Sequence, residues 1–197
     1  IPSKQACAAV GQCELMHIYD KLFSEYNHTV AQLLLTRDIV ENEVSKNNVI
    51  NTMDRLLTMG VIPIVNENDT VSFEEINMIT QFGDNDKLSA IVAGLAGASK
   101  LVTLSDIDGL YDKNPQKHKD AKLIPLVTRI DDSLRAIAEG AGSERGTGGM
   151  ATKLHAAEIA AEHGIEMTII NGANPQLLYD VVEGKQVGTR FIPKGAE

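Results

Sequence analysis

The sequence predicts an α/β protein with a mostly parallel central sheet and helices on both of its faces. The first observation behind this is an alternation between short apolar runs and longer segments whose apolar residues recur every three or four positions. The second is that the short runs are apolar at almost every position, which is typical of parallel strands covered on both sides. Ligands of such sheets bind beyond the carboxyl ends of the strands, so function is expected in the segments that follow them.

Four elements are predicted in the first 65 residues. Leu15, Ile18 and Leu22 stand at helical spacing, and the run "TVAQLLLT" is apolar enough for a buried strand. A second helical stretch stops at Gly60, and the short apolar run "VIPIV" after it predicts another strand. In chain order the predictions are a helix over 4–25, a strand over 29–36, a helix over 38–59 and a strand over 61–65.

The rest of the chain continues the alternation. The segment "NENDTVSFEEINMITQFGDND" is too polar for a core and predicts a long functional loop that can hold a small hairpin, whereas "DIDGLYDKNPQKHKD" consists of turn residues throughout. The remaining predictions are a helix over 86–98, a strand over 100–105, helices over 131–139 and 149–163, and a strand over 166–170.

Composition limits the function classes. A chain of 197 residues with 43% apolar side chains is long enough for one well-cored domain, so a single domain over 1–197 is expected. The net charge of −9 argues against nucleic acid and membrane partners, both of which need a basic surface. The start of the chain does not resemble a signal peptide and no apolar run reaches the length of a membrane span, so a cytoplasmic location is expected.

The cysteines and histidines carry no predicted chemistry. Cys7 and Cys13 lie six residues apart on one predicted helix, too far along it for a good disulfide, and are expected to be free thiols packed in or near a core. The five histidines show no ligand spacing, so no metal site made of protein ligands is expected.

Polar segments follow the three predicted strands "VIPIV", "KLVTLS" and "EMTII" and are expected at one edge of the sheet, where they could bind a ligand. The first, "NENDT", contains Asn66 and Asp69 and follows a predicted strand directly, although the same residues are common in ordinary turns. "FGDNDKL" places Asp84, Asn85 and Asp86 where a helix begins; one of them suffices to cap that helix, and the set would suit an ammonium group, a lysine or a water-bound magnesium ion.

The exit after "KLVTLS" and a glycine-rich loop point to phosphate. In "LSDIDGLYDKNP" a strand ends at Ser105 and Asp106, a position that suits a nucleotide-contacting loop. "GSERGTGGMATKL" brings glycines and Lys153 to the first turn of a helix, where inward N–H groups and a cation favour an anion. Its spacing differs from that of a P-loop. Met150, Leu154, Ala157 and Ala161 form an apolar face that is expected to anchor this helix to the sheet. The alternative is a flexible glycine linker before an ordinary helix with a solvated lysine.

Seven motifs extend the pattern over nearly the whole chain: "SKQACAAVGQ", "LLLTR", "IPIVNENDTV", "FGDNDKLSA", "LSDIDGLYDKNP", "GTGGMATKLHAA" and "GTRFIP". With them the chain resembles the amino acid kinase family and its sandwich fold. The strand followed by "DGLY" is shared across that family, whereas "NEND" together with "GDND" and "GTGGMATK" is particular to its glutamate-phosphorylating members.

The resemblance implies transfer of the γ-phosphoryl group of ATP to the side-chain carboxylate of L-glutamate, the first step toward proline, with Mg²⁺ offsetting the charge of ATP. It implies catalytic roles for Lys153 and for Asp86, which would organise the catalytic lysines. The substrate-binding positions it implies are Asn66, Asp69, Asp84 and Asn85. The nucleotide-binding positions it implies are Ser105, Asp106, Thr147, Gly148, Gly149, Met150, Ala151, Thr152 and Lys153.

The resemblance also implies a homo-oligomer and feedback inhibition by proline. Family members begin with a strand that carries a second lysine and with glycine-rich loops, all upstream of the position that matches Ile1, so an N-terminal portion outside these 197 residues is expected. No further C-terminal domain is expected within them. Two alternatives stay open: a family member with another phosphoryl acceptor, and a non-catalytic fragment that binds glutamate or nucleotide.

Overall fold

The computed structural model describes residues 2–71, 85–140 and 149–193. The chain divides into two compact units, residues 1–88 and 89–197, and each is described by itself. The predicted α/β class is confirmed in both units, and parallel pairing dominates. The described strands form one two-stranded and one four-stranded sheet, where a single central sheet was predicted. The single domain predicted over 1–197 stays a prediction.

Within residues 2–71, the first unit contains two parallel strands and three helices. Strands β1 and β2 pair from Thr29 opposite Val61 to Leu35 opposite Glu67, so both end at the same edge. A further helix, α4, begins at the end of this unit and continues into the second. The elements are α1 (Pro2–Ser24), β1 (Thr29–Leu35), α2 (Asp38–Glu41), α3 (Glu43–Thr58), β2 (Val61–Glu67) and α4 (Asn85–Leu95).

The single helix predicted over 38–59 was wrong, because Asn42 divides it into α2 and α3. Asn42 has extended backbone angles, and its Oδ1 accepts the N–H groups of Val44 at 2.9 Å and Ser45 at 3.2 Å. An asparagine that satisfies two otherwise unpaired N–H groups starts a new helix at this point.

Helix α1 has the predicted position but not the predicted packing. Cys7 and Cys13 are both free thiols, as predicted, but both are exposed and neither lies in a core. Ile18 and Leu22 also keep about half of their surface exposed. Helical spacing predicted the helix correctly, but it does not determine which residues the rest of a unit covers.

The second unit is built on a four-stranded sheet with the order β3-β5-β6-β4. β3 pairs with β5 in parallel, β5 with β6 antiparallel, and β6 with β4 in parallel. Its elements are β3 (Lys100–Ser105), β4 (Leu126–Val127), α5 (Asp132–Gly140), α6 (Met150–Glu162), β5 (Glu166–Asn171), α7 (Leu177–Val182) and β6 (Thr189–Phe191). β4, α7 and β6 were not predicted, because segments of two to six residues are too short to show a period.

The core of the second unit lies between α6 and the sheet. Met167 and Ile169 of β5 are fully buried against the alanines of α6, which allow the helix to approach the strand closely. At the other end of the helix, Gly164 has a φ of 71° and the N–H of Ile165 donates to the carbonyl of Ala160 at 2.9 Å. This ending turns the chain directly from α6 into β5.

No helix in the described part of the chain is both long and apolar enough to cross a membrane.

Candidate active site

A cavity of about 210 Å³ lies at the shared carboxyl edge of β1 and β2. Asp69 and Thr70 line it from the turn that follows β2, and α1 closes the opposite side. The full set of lining residues is Ala8, Gly11, Gln12, Leu15, Leu34, Glu67, Asp69 and Thr70. The structure therefore places one predicted substrate residue, Asp69, on the wall of a cavity at the predicted edge.

The turn that presents Asp69 is fixed by short-range hydrogen bonds. The N–H of Asn68 donates to the carbonyl of Leu35 at 2.8 Å, which ties the turn to the end of β1. The Thr70 hydroxyl donates to Oδ1 of Asn68. Asp69 lies between these two contacts and is itself exposed, as a residue that meets a ligand from solvent must be.

Asn66 supports the cavity without lining it. β2 extends to Glu67, so the prediction that Asn66 follows the strand was wrong by two residues. Its Nδ2 donates to Oε1 of Gln12 at 3.3 Å, and its Oδ1 accepts the N–H of Glu67 at 2.9 Å. These contacts place Asn66 next to two cavity residues, Gln12 and Glu67.

The sequence analysis missed Gln12, Glu67 and Gly11 as candidate site residues. Gly11 offers a signal that could have found them, because a glycine inside a helix costs about 0.5–1 kcal/mol relative to alanine and needs a reason. Gly11 lines the cavity, and a Cβ there would meet nothing within 4 Å. An added side chain would therefore stand in the open space of the cavity rather than against other residues.

Asn85 and Asp86 stand at the predicted start of a helix. α4 begins at Asn85, and Asp86 lies in its first turn, where a carboxylate is favoured by the helix dipole. Asn85 is exposed and Asp86 is half-buried. The third residue of this motif, Asp84, lies outside the described residues.

The predicted nucleotide residues Ser105 and Asp106 lie at the carboxyl edge of the second sheet. Ser105 is the last residue of β3 and stands opposite Asn171, the last residue of β5. The Ser105 hydroxyl lies 3.1 Å from Oδ1 of Asp106, and its carbonyl accepts the N–H of Gly172 at 2.7 Å. The two parallel strands thus end together, with Ser105 half-buried and Asp106 exposed.

A three-residue network, formed by Asn171, Asp108 and Tyr111, adjoins this edge. Nδ2 of Asn171 donates to Oδ1 of Asp108 at 2.8 Å, and the Tyr111 hydroxyl donates to Oδ2 of the same carboxylate at 2.9 Å. Partial burial, with the hydrogen bond and charge of Asp108 acting in the same direction, raises the pKa of Tyr111 above its ordinary value. None of the three was a predicted site residue.

Helix α6 supplies the predicted lysine. Gly149 is its N-cap in extended conformation, and the Thr152 hydroxyl donates to the Gly149 carbonyl at 2.7 Å. Lys153 lies in the first turn and is only 8% exposed, so the alternative of a solvated lysine was wrong. Of the predicted loop, Gly149, Met150, Ala151, Thr152 and Lys153 are described, whereas Thr147 and Gly148 lie outside the described residues.

The length and direction of α6 place this lysine near the carboxyl edge of the second sheet. Met150, Leu154 and Ala157 are buried, which confirms most of the predicted apolar face, and Ala161 is half-buried. A helix of 13 residues and a strand of six are both about 20 Å long. Since α6 runs back along the sheet and joins β5 through a tight turn, its first turn lies level with the carboxyl end of β5.

An ion-pair cluster ties α6 to α5, the helix before the glycine loop. Arg135 Nη2 lies 2.6 Å from Glu158 Oε1 and its Nη1 lies 2.8 Å from Asp132 Oδ1, while His155 Nδ1 lies 3.4 Å from Glu158 Oε2. Burial raises the pKa of Glu158, but the hydrogen bonds from Arg135 and His155 outweigh it and leave the pKa below its ordinary value.

A larger cavity of about 540 Å³ lies beside this cluster, lined by Arg129, Arg135, His155, Glu158, Phe191 and neighbouring residues. It contains none of the predicted site residues, so its size does not make it the candidate active site. Within the three described ranges, no three His, Cys, Asp or Glu side chains are grouped closely enough to hold a metal ion.

The comparisons with known proteins agree with this geometry. The model of the amino acid kinase family matches residues 1–171, and the chain belongs to that family. It is 56% identical to the glutamate 5-kinase of Clostridium perfringens (strain 13 / Type A) over 197 residues, which are 100% of this chain and 73% of that protein. It is 51% identical to the glutamate 5-kinase of Listeria monocytogenes serotype 4a (strain HCC23), covering 100% of this chain and 71% of that protein.

The fold has a solved counterpart. A crystal structure of isopentenyl phosphate kinase superposes with a TM-score of 0.60 at 19% identity, covering 91% of this chain and 66% of the other. At that identity the likeness establishes the fold alone, which is the predicted sandwich of the amino acid kinases.

Proposed function

We propose that this protein transfers the γ-phosphoryl group of ATP to the side-chain carboxylate of L-glutamate and so forms L-glutamyl 5-phosphate. The observation that carries the proposal is the burial of Lys153 in the first turn of α6, level with the carboxyl edge that holds Ser105. Lysine is rarely buried, and a cation at this end of a helix opposes the helix dipole. The helix N-terminus and the cation would attract the same anion, so the phosphates of ATP suit this position.

The reaction requires little acid–base catalysis by the protein. The side-chain carboxylate of glutamate is ionised at neutral pH and attacks the γ-phosphorus directly, so that a new O–P bond forms while the bond to the β-phosphate oxygen breaks and ADP leaves. No proton has to be removed from the acceptor. The remaining requirement is to hold two anions in line and stabilise the charge between them, which is the role we assign to Lys153.

In this proposal the first unit binds glutamate. Asp69 would receive the α-ammonium group of the substrate from the wall of the 210 Å³ cavity, with Asn66 holding Gln12 and Glu67 in place. Asn85 and Asp84 would complete the substrate contacts, and Asp86 would orient the catalytic lysine. These roles agree with the preference of an ammonium group for carboxylate and amide oxygens.

In this proposal the second unit binds ATP. Ser105, Asp106 and the first turn of α6 would contact ATP together with Thr147 and Gly148, and Mg²⁺ would arrive bound to the phosphates of this substrate. We further propose a cytoplasmic homo-oligomer, proline as a feedback inhibitor, and no nucleic acid or membrane partner, in keeping with the net charge of −9.

The test is ATP-dependent formation of an acyl phosphate, trapped with hydroxylamine as the hydroxamate. L-Glutamate, N-acetylglutamate and L-aspartate are offered in parallel to the intact protein. We expect product with L-glutamate alone, and none without ATP or Mg²⁺. If another acceptor gives product at a higher kcat/KM, that acceptor is the substrate. If none of the acceptors gives product, the protein binds its ligands without phosphorylating them.

A further inference from the structure

Asn171 and Asp108 join two loops at the carboxyl edge of the second sheet. They are 63 residues apart in the chain, and their side chains meet at 2.8 Å, with the amide donating to the carboxylate. Asn171 ends β5 and Asp108 lies three residues after the end of β3. The contact therefore connects the loop that carries Ser105 and Asp106 to the neighbouring strand.

The orientation of the Asn171 amide is fixed by its second contact. Its Oδ1 accepts the N–H of Ala173 at 2.9 Å, so Nδ2 is the atom that faces Asp108. The N–H of Gly172 donates to the Ser105 carbonyl at 2.7 Å in the same place. The residues at the end of β5 thus hold the loop that follows β3. Gly172 does so through its main chain and Asn171 through its side chain.

The far side of the same loop is fixed inside the core. Leu110 is fully buried, and its N–H donates to the Thr189 hydroxyl at 2.8 Å, which in turn donates to the carbonyl of Ile124 at 2.7 Å. Gly109 has a φ of 153°, and a Cβ there would overlap Thr189. The segment between Ser105 and Gly109 is therefore a short bridge between two fixed points. Its Ile107 packs against the core, Asp106 and Asp108 are exposed, and Asn171 holds Asp108 from the side.

Charge explains why this bridge needs to be held. Asp106 and Asp108 place two carboxylates within three residues of the proposed binding position of a polyphosphate anion. Both oxygens of Asp108 are engaged, one by the Asn171 amide and one by the Tyr111 hydroxyl. A carboxylate held in this way keeps its charge paired with donors within the protein, beside the residues proposed to contact the nucleotide.

We infer that Asn171 and Asp108 are positioning residues of the nucleotide site, which act by fixing the loop that carries Ser105 and Asp106. The inference rests on the proposed function insofar as it takes these two residues as nucleotide contacts. It names no contact between Asn171 or Asp108 and the ligand itself, so its signature is a change in nucleotide affinity with the glutamate site unaffected.

The experiment exchanges the two partners. Asn171→Asp places two carboxylates in contact and removes the donor, whereas Asp108→Asn places two amides there, which can still form a hydrogen bond but without the charge. The double variant D108N/N171D restores it with reversed polarity, because the new amide can donate to the new carboxylate, which still accepts the N–H of Ala173. Asn174→Asp is the matched control, since it adds the same charge in the same exposed loop.

The readouts are the affinity for ADP by calorimetry on the intact protein and the separate KM values for ATP and glutamate. We expect N171D to weaken ADP binding and raise the KM for ATP about tenfold or more, as loss of a hydrogen bond to a charged group does. The KM for glutamate and the effect of N174D should stay within about twofold, and the double variant should recover most of the lost affinity.

Two results would overturn the inference: an unchanged ADP affinity in N171D, or a double variant no better than the worse single one. If N171D fails to fold by circular dichroism, Asn171→Ala provides the same comparison, because it also removes the donor. Wild-type protein that binds ADP but forms no acyl phosphate would refute the proposed function alone, because the ADP affinities still decide the inference. Wild-type protein that binds no nucleotide would refute both.

Discussion

Glu166 and Arg190 form a two-point ion pair across the antiparallel strands β5 and β6. Arg190 Nη2 lies 2.8 Å from Glu166 Oε2, and Arg190 Nε lies 3.3 Å from Glu166 Oε1. Lys100 of β3 reaches the same carboxylate at 3.1 Å, so one glutamate joins three strands. The cluster lies at the amino-terminal end of β3 and β5, opposite the edge that carries Ser105, and we assign it to stability rather than catalysis.

This pair predicts a measurable pH dependence. The Arg190 hydrogen bond lowers the pKa of Glu166 below its ordinary value of 4.5, against the effect of burial and with help from Lys100. A lowered folded-state pKa stabilises the protein fully above the ordinary value, and this contribution disappears as the pH falls through the lowered one.

Arg190→Met should therefore reduce the free energy of unfolding at pH 7 by about 1 kcal/mol, or about 2–4 °C in Tm. At pH 3, below the ordinary pKa of 4.5, the difference from wild type should be smaller than at pH 7. Urea unfolding at the two pH values measures it, with Lys100→Met as a control that removes one contact instead of two. A difference of equal size at both pH values would mean that packing, and not the ion pair, is lost.

Gly188 and Gly184 provide a second test of the fold, because both have positive φ but different surroundings. Gly188 has a φ of 60°, and a Cβ there would overlap the carbonyl oxygen of Ile169, whereas Gly184 has a φ of 78° and open space around it. Gly184→Ala should cost only the backbone strain of about 1–2 kcal/mol. Gly188→Ala should cost clearly more, since β6 must also move away from β5. Thermal unfolding of the two variants checks this, and equal losses would contradict it.

Sequence patterns predicted the parts of the site that depend on local order. The apolar run that ends at Ser105 and the polar residues before α4 fixed where a strand stops and a helix starts, and both predictions were confirmed. The buried face of α6 followed from its spacing in the same way. These features are set within about one turn or one strand of the chain, which is the range that periodicity reports.

The parts that were missed depend on contacts between distant residues. Gln12 meets Asn66 and Asp108 meets Asn171 across 54 and 63 residues, and each of these side chains alone is an ordinary polar residue in a helix, strand or loop. β4 and β6 are strands only because β5 continues a sheet to which they can pair. Propensity gives little information on so short a segment, because tertiary pairing decides its conformation.

Removing the charge of Asp69 should raise the KM for glutamate and not the KM for ATP. Asp69→Asn keeps the shape of the cavity wall and removes the charge proposed to bind the α-ammonium group. Loss of a charge-assisted hydrogen bond costs about 1.5–3 kcal/mol, so the KM for glutamate should rise about tenfold or more. The KM for ATP should change by less than about twofold. Steady-state kinetics with each substrate varied in turn measures both, and equal increases would contradict the assigned role.

Lys153 should affect turnover. Lys153→Met keeps most of the side-chain volume in a position that is only 8% exposed and removes the cation. Removing one preorganised donor from a transition state costs about 3–4 kcal/mol, so kcat should fall by two orders of magnitude or more, as it should in Lys153→Ala. Methionine is of similar size and keeps the position filled, and thermal unfolding reports any loss of stability apart from the loss of turnover. Single-turnover hydroxamate trapping together with thermal unfolding separates the two effects, and near-normal turnover in a folded Lys153→Met protein would remove Lys153 from the reaction.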